Sequence, residues 1–272
     1  MSQRATPSSH QSQHDGYTIA DDLSDPQTLA EDRRRLDTML ATLKPGERPE
    51  HLVEPHVIAP DWTYWLHRCA DPRILDAVQR CLGCDEIILL MSHLIVKPAH
   101  NGLAVAWHQD NTYWPSVDGL EIATVWLAID DVDVGNSCMH VIPRTHVGCP
   151  ALAKLPTQGD DLLHIQVAVT PEMEADAIAV QLRAGSASLH DSFIIHGSKP
   201  NLSNRRRAGF TMRYGNAASV RVDVAKHNKP VYYLRGDSTN LKPDYRDFRP
   251  GCPYPTTSGI EHRHQKSLVH QQ

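Results

Sequence analysis

The apolar residues keep a helical period as far as residue 84 and a strand-like cadence beyond it. Leu29, Leu36, Met39, Leu40 and Leu43 fall on one stripe behind the start signal Asp25-Pro26, which predicts a helix over residues 27–43. Ile74, Leu75, Val78 and Leu82 mark a second helix over 71–82, with Pro72 near its start and Gly83 as its stop. After Cys84 come short β-rich runs at 87–96, 104–107, 122–129, 139–142, 163–169, 177–182, 186–196 and 207–214. Turn signals separate them: Asn101-Gly102, Asp118-Gly119, Gly135-Asn136, Gln158-Gly159, Ala184-Gly185 and Lys199-Pro200-Asn201. No helical pattern lies between these runs, which argues against a parallel α/β sheet. The expected fold is mostly β with N-terminal helices, around a double-stranded β-helix core, the cupin-like jelly roll. Residues 21–240 then form one domain, with a helical layer at 21–84 and the jelly roll at 85–240. Residues 1–20 and 241–272, poor in large apolar side chains, read as a disordered tail and a poorly ordered tail.

Charge narrows the function classes. Lys plus Arg total 27 against 32 Asp plus Glu, a net charge of -5, without the basic excess of a nucleic-acid binder. Arg33-Arg34-Arg35 sits among Glu31, Asp32 and Asp37 and reads as a solvated helix surface. The longest apolar stretch, 87–96, is broken by Ser92 and His93 and falls far short of a bilayer span. The first 16 residues lack the apolar region of a secretory signal, so the expected location is cytoplasmic, and the six cysteines read as reduced thiols. Cys81 and Cys84 form one C-x-x-C with no second pair, better suited to packing at a helix end than to metal or redox work.

Seventeen histidines against three phenylalanines direct attention to a metal. In Trp107-His108-Gln109-Asp110, an extended backbone would send His108 and Asp110 to one face. An imidazole and a carboxylate need a third ligand, and His140, His146, His164, His190 and His196 are available. His196 is the choice. It ends a β-rich run, and Arg207 starts another eleven residues on, where a guanidinium could grip a carboxylate. Two histidines and one carboxylate make the facial triad of non-haem iron(II) oxygenases.

Over residues 55–235 the chain resembles the phytanoyl-CoA dioxygenase family of Fe(II)/2-oxoglutarate-dependent oxygenases. The likeness lies in DPRILDAVQRCLG, AWHQDNTYW, ATVWLAIDDV, CMHVIPRTH and HGSKPNLSNRRRAGFTMRY. It implies His108, Asp110 and His196 as iron ligands. It implies Arg207 for the far carboxylate of 2-oxoglutarate, with Ser198 offering a hydroxyl and Trp126 lining the pocket. Fe(II), 2-oxoglutarate and O2 would hydroxylate a C–H bond of a small molecule with release of succinate and CO2. Relatives with alanine in place of the aspartate admit chloride and halogenate; Asp110 favours oxidation without halogen.

Arg206 competes with Arg207, since strand parity places Arg205 and Arg207 on one face and Arg206 on the other. A subgroup resembling small-phosphonate oxygenases, such as 2-aminoethylphosphonate dioxygenase, reads S-L-H-H where this chain has Ser188-Leu189-His190-Asp191. His190 is therefore either a substrate or ligand-orienting contact or a core histidine. Asn111, Tyr113 and Trp114 are candidate substrate contacts, with plain packing as the alternative. Lys97 is a candidate for the cosubstrate carboxylate, with a solvent-facing side chain as the alternative. Arg213 shares the parity of Arg207 and would favour an anionic substrate. His140 and His146 read as structural. The expected substrate is a small polar metabolite, with a natural-product scaffold as alternative; the rival functions are a non-catalytic metal-binding jelly roll and a zinc hydrolase.

Overall fold

A computed structural model describes residues 14–157 and 159–252, with four helices that bear on the site: α1 (Pro26–Leu40), α2 (Pro55–Ile58), α3 (Trp62–Cys69) and α4 (Pro72–Leu82). Asp25 caps α1 by accepting from Thr28 N at 2.8 Å, and Asp71 caps α4 by accepting from Arg73 N at 2.9 Å. Gly83 ends α4 at φ 66°, a conformation that suits glycine. The principal strands are β1 (Tyr17–Ala20), β2 (Ile87–Lys97), β3 (Val105–His108), β4 (Ile122–Ala128), β5 (Met139–Ile142), β6 (Ile178–Val180), β7 (Ala187–Asp191), β8 (Ile195–Ser198), β9 (Arg207–Asn216), β10 (Tyr232–Arg235) and β11 (Arg246–Asp247). They form a major sheet in the order β1-β7-β4-β9-β2-β10-β11, to which Leu52–Val53 adds a short edge against β2, and a minor sheet in the order β6-β5-β8-β3. No helix among the described residues is long and apolar enough to cross a membrane.

Alternation along β4 and β9 shows how the layers are made. Val125 and Leu127, with Ala208, Phe210, Met212 and Tyr214, pack against Leu36 of α1, Trp65 and Leu66 of α3, and Ile74 and Val78 of α4. The opposite parity sends Trp126 and Ala128 toward Met139 and Val141 of the minor sheet. Both faces of β4 are covered, so its seven residues are all buried and the sequence reads as an apolar run broken only by Thr124.

Several expectations change. Tyr17–Ala20 lies inside the expected N-terminal tail, yet it pairs with β7 from Tyr17↔His190 to Ala20↔Ala187. Past residue 240, β11 pairs with β10, and Tyr245 and Phe248 are buried in the core. Residues 1–13 and 253–272, with His10, His262, His264 and His270, lie outside the described residues. The run 186–196 is two strands broken by a turn at 192–194, because Asp191 accepts from Phe193 N and releases the backbone from the ladder. No disulfide joins the cysteines.

Asp32 is buried, contrary to the solvated helix surface expected around it. Its carboxylate takes both Arg68 Nε, at 3.0 Å, and the Tyr64 hydroxyl, at 2.7 Å, tying α1 to α3. Asp32→Ala leaves a buried guanidinium with only Asp71 to neutralise it, and a loss of about 3 kcal/mol is expected in urea unfolding. A second tie is pH-dependent. His56 of α2 is fully buried with Nδ1 2.6 Å from Ser92 Oγ on β2. Burial pushes its imidazole down to about 4, against the pull of Glu54. The unfolded side chain takes a proton near 6.5, so the folded state is favoured above that pH and loses this contribution as pH falls toward 4. Between pH 7 and pH 5 the loss is about 2 kcal/mol; urea midpoints at the two pH values measure it, and His56→Gln reduces the slope.

Candidate metal centre

The minor sheet supplies both histidines. β8 and β3 pair so that His196 stands opposite His108, with ring centroids 4.0 Å apart. Asp110 arrives differently from the i, i+2 strand geometry expected. β3 ends at His108, Gln109 is extended, and Asp110 opens a single 3-10 turn, Asp110–Tyr113. That turn is held to the turn before β8: Asn111 N donates to Ser192 O at 3.2 Å, and Gln109 Nε2 donates to Phe193 O at 2.6 Å. Asp110 Oδ1 lies 3.8 Å from His108 Nε2 and 4.0 Å from His196 Nε2, and ligand atoms of the three buried residues all lie within 4.8 Å of one another.

The donor set fits a divalent metal. His108 Nδ1 donates to Ala106 O at 2.8 Å and His196 Nδ1 to Ile194 O at 3.1 Å, so each ring turns the lone pair of Nε2 toward the centre. Burial pushes both imidazoles below the usual histidine range, with His108 and His190 adding to the shift at His196, and this keeps the ligands neutral. Burial alone would raise the Asp110 carboxyl, but Arg213, His190 and His196 hold it well below the usual range and therefore ionised. Thr124 Oγ1 donates to Asp110 Oδ2 at 2.6 Å, which leaves Oδ1 for the centre. Two neutral imidazoles and one carboxylate are a donor set for iron(II) with open positions.

Polar side chains of the major sheet face this centre in rows. His190 pairs with Thr124, and Thr124 with Arg213. The next row runs Ser188, Trp126, Thr211. Beyond it Arg207 pairs with Lys97. Arg207 is 2% exposed, its Nε has no partner, and its guanidinium lies 4.6 Å from the Trp126 ring centre. Burial pushes Arg207 down to about 10. A buried cation beside an aromatic ring calls for an anion. Trp126 takes this position because the residue beneath it is Gly209, where a Cβ would overlap the indole. Lys97 is buried, which overturns the solvent-facing alternative. Its Nζ donates to Ser198 Oγ at 2.7 Å and Lys199 O at 2.6 Å, so the Ser198 hydroxyl keeps its own proton for a further acceptor. Burial, with Arg207 alongside, pushes the Lys97 ammonium well down.

The neighbouring arginines are engaged elsewhere. Arg206 forks onto Asp130 and reaches Asp37 on the outer surface, and Arg205 pairs with Asp133. Arg205 precedes β9, so the shared strand parity expected for Arg205 and Arg207 does not arise.

A family model described as phytanoyl-CoA dioxygenase matches residues 12–209. The chain belongs to the phytanoyl-CoA dioxygenase family. It is a 2-oxoglutarate-dependent oxygenase, and its cofactor and cosubstrates are Fe(II), 2-oxoglutarate and O2. Among relatives, L-proline trans-4-hydroxylase of Streptomyces griseoviridis is 26% identical over 80% of this chain and 90% of that protein. Ectoine dioxygenase of Streptomyces anulatus is 26% identical over 85% of each chain. The structure of the non-heme monooxygenase ThoJ in its apo form superposes with a TM-score of 0.69 at 26% identity, covering 89% of this chain and 87% of that one.

Other candidates of this family member divide between the centre and the core. The Tyr113 ring meets His108 edge-on at 5.9 Å, while its hydroxyl donates to Ile165 O. Asn111 Oδ1 is buried without a partner. Trp114 packs with Met91, Ile122 and Val220, the packing alternative. His190 is buried with both ring nitrogens unpartnered, its Nε2 3.7 Å from Asp110 Oδ2. His140 pairs with Gly197, out of phase with the ligand pair, and His164 is exposed. Thr124 and Ser188 escaped the sequence reading, although strand parity with Trp126 and His190 was the signal for them. Gly209→Ala displaces Trp126 from Arg207; the expected result is about tenfold weaker 2-oxoglutarate binding with metal affinity unchanged, measured by calorimetry on the metal-loaded protein.

Proposed function

We propose that this family member hydroxylates an unactivated C–H bond of a small polar metabolite in the cytosol, with His108, Asp110 and His196 holding iron(II). Arg207 and Ser198 hold the far carboxylate of 2-oxoglutarate, and Trp126 walls its pocket. The observation that carries this reading is Arg207, a buried guanidinium without a carboxylate partner among the described residues, on the same interior wall that faces the His-Asp-His cluster. A metal-binding jelly roll without turnover has no use for such a clamp, and neither has a zinc hydrolase. The relatives named above support a small substrate; the phosphonate resemblance rests on Ser188-Leu189-His190.

When bound, iron and 2-oxoglutarate supply the oxidising power: decarboxylation to succinate and CO2 accompanies transfer of one oxygen atom of O2 into the C–H bond. The protein's part is positional. The carbonyls of Ala106 and Ile194 hold the two imidazoles in one tautomer, and Thr124 turns the Asp110 carboxylate. Lys97 orients the Ser198 hydroxyl as a donor, and Arg207 waits as a preformed cation. Burial of these groups excludes water from the cosubstrate end.

Anaerobic addition of Fe(II) and 2-oxoglutarate is expected to give a weak visible charge-transfer band at one equivalent of each. Arg207→Gln should weaken 2-oxoglutarate binding by about 50-fold while metal binding persists. His108→Ala should abolish succinate release in a substrate screen. Unchanged succinate release in His108→Ala, or activity with zinc but not with iron, would sink the reading.

A further inference from the structure

Outside the groups given to iron and 2-oxoglutarate, Arg213 is a second guanidinium inside the barrel. It shares the interior face of β9 with Arg207, six residues and about 20 Å further along the strand. Nη1 donates to Thr211 Oγ1 at 2.6 Å. Nη2 lies 3.5 Å from Asp110 Oδ1, the far limit of a hydrogen bond, and Nε is buried with no partner. The edge left open is therefore Nε with Nη2, the planar pair of donors that matches the two oxygens of a carboxylate. In the same row across the sheet, His190 is 1% exposed, with Nε2 3.7 Å from Asp110 Oδ2 and Nδ1 buried without a hydrogen-bond partner.

Charge and position both call for a further anion here. A divalent ion, Asp110, the two carboxylates of 2-oxoglutarate and Arg207 cancel one another, while Lys97 directs its Nζ to hydroxyl and carbonyl oxygens. Arg213 then remains a cation beside a metal. The residues proposed for 2-oxoglutarate, Ser198 and Arg207, lie on the side of the His-Asp-His cluster away from Arg213. The two ends also differ in access, since the Arg213 side chain is 13% exposed and Arg207 is closed off.

We propose that Arg213, with His190 beside it, docks a carboxylate of the substrate, so that the molecule oxidised is a small carboxylic acid. This rests on the oxygenase reading above. The test uses the Fe(II)- and 2-oxoglutarate-loaded protein under argon. It is titrated with a panel of L-amino and imino acids, each paired with its carboxamide and its phosphonate analogue, and binding is read by calorimetry and by the shift of the visible band. Acids are expected to bind about thirtyfold more tightly than their amides or phosphonates. Arg213→Gln should reduce that preference to less than about threefold, read on protein whose visible band shows Fe(II) and 2-oxoglutarate bound. Arg213→Lys, which keeps the charge but not the fork, should hold an intermediate preference, and it serves as the reading if the glutamine variant does not fold. A normal band with no acid bound, with amides or phosphonates bound as tightly, or with the preference intact in both variants overturns the proposal. So does a glutamine variant that loses 2-oxoglutarate instead. Absence of the band in the wild-type protein overturns the oxygenase reading, and this inference with it.

Discussion

The centre depends on how Asp110 is held inside the barrel. A carboxylate taken out of water is stable only if other groups replace its hydration. Here Thr124 supplies a hydrogen bond from the major sheet, Arg213 and His190 supply favourable charge and polarity from the same row, and the two ligand histidines face it from the minor sheet. The two sheets are thereby brought into register at one point. That register fixes the rest: with His190, Thr124 and Arg213 in one row, strand geometry sets Trp126 in the next and Arg207 with Lys97 beyond it. A slip of one residue in β9 would turn Arg207 and Arg213 into the helical layer and bring Phe210 and Met212 into the barrel.

Much of this was legible in the chain. Period changes marked α1, α4 and β9, since the two helices carry single apolar stripes with capping residues and β9 alternates cleanly, but not α2, α3 or β1. The cluster of His108, Asp110 and His196 and the buried Arg207 were legible because each residue type is unusual where it stands. The route by which Asp110 reaches the centre was not, because H-x-D reads equally as a strand or as a strand end with a 3-10 turn, and a hydrogen bond from Gln109 to the distant Phe193 decides between them. The burial of Lys97 was hidden for a similar reason. Its acceptors, Ser198 and Lys199, lie a hundred residues away, and nothing local distinguishes a lysine with such partners from one in water. The arginine triplet was resolved by tertiary acids, Asp130 and Asp133, that no local pattern connects to it.

The interior wall has a division of labour that follows from burial. At the Arg207 end, every polar group is deeply buried and the indole of Trp126 lies against the guanidinium, an arrangement permitted by the missing Cβ of Gly209. Such an end suits one invariant ligand, because low dielectric strengthens its charge pairing and leaves no room for variation. The Arg213 end is wetter and bordered by the Asp110–Tyr113 turn, which is held by Ser192 of a turn and by Ile165 at the start of a short strand. If the Arg213 end takes the substrate and the Arg207 end the cosubstrate, as proposed, the turn residues on this side are where substrate choice can diverge.

The first strand of the fold also sets the order in which the protein can be completed during synthesis. Tyr17–Ala20 finds its partner only at His190 to Ala187, so β1 leaves the ribosome long before β7 exists. At ordinary translation rates that gap is roughly 10 to 35 seconds, during which a short pairing strand waits without its sheet. The strand bearing His190 is likewise uncovered along one edge until β1 returns to it. The edge of the wall beside the metal site is thus closed only once residues 187–191 have been made, by a strand made long before them, while β9, β10 and β11 of the same sheet are still to come.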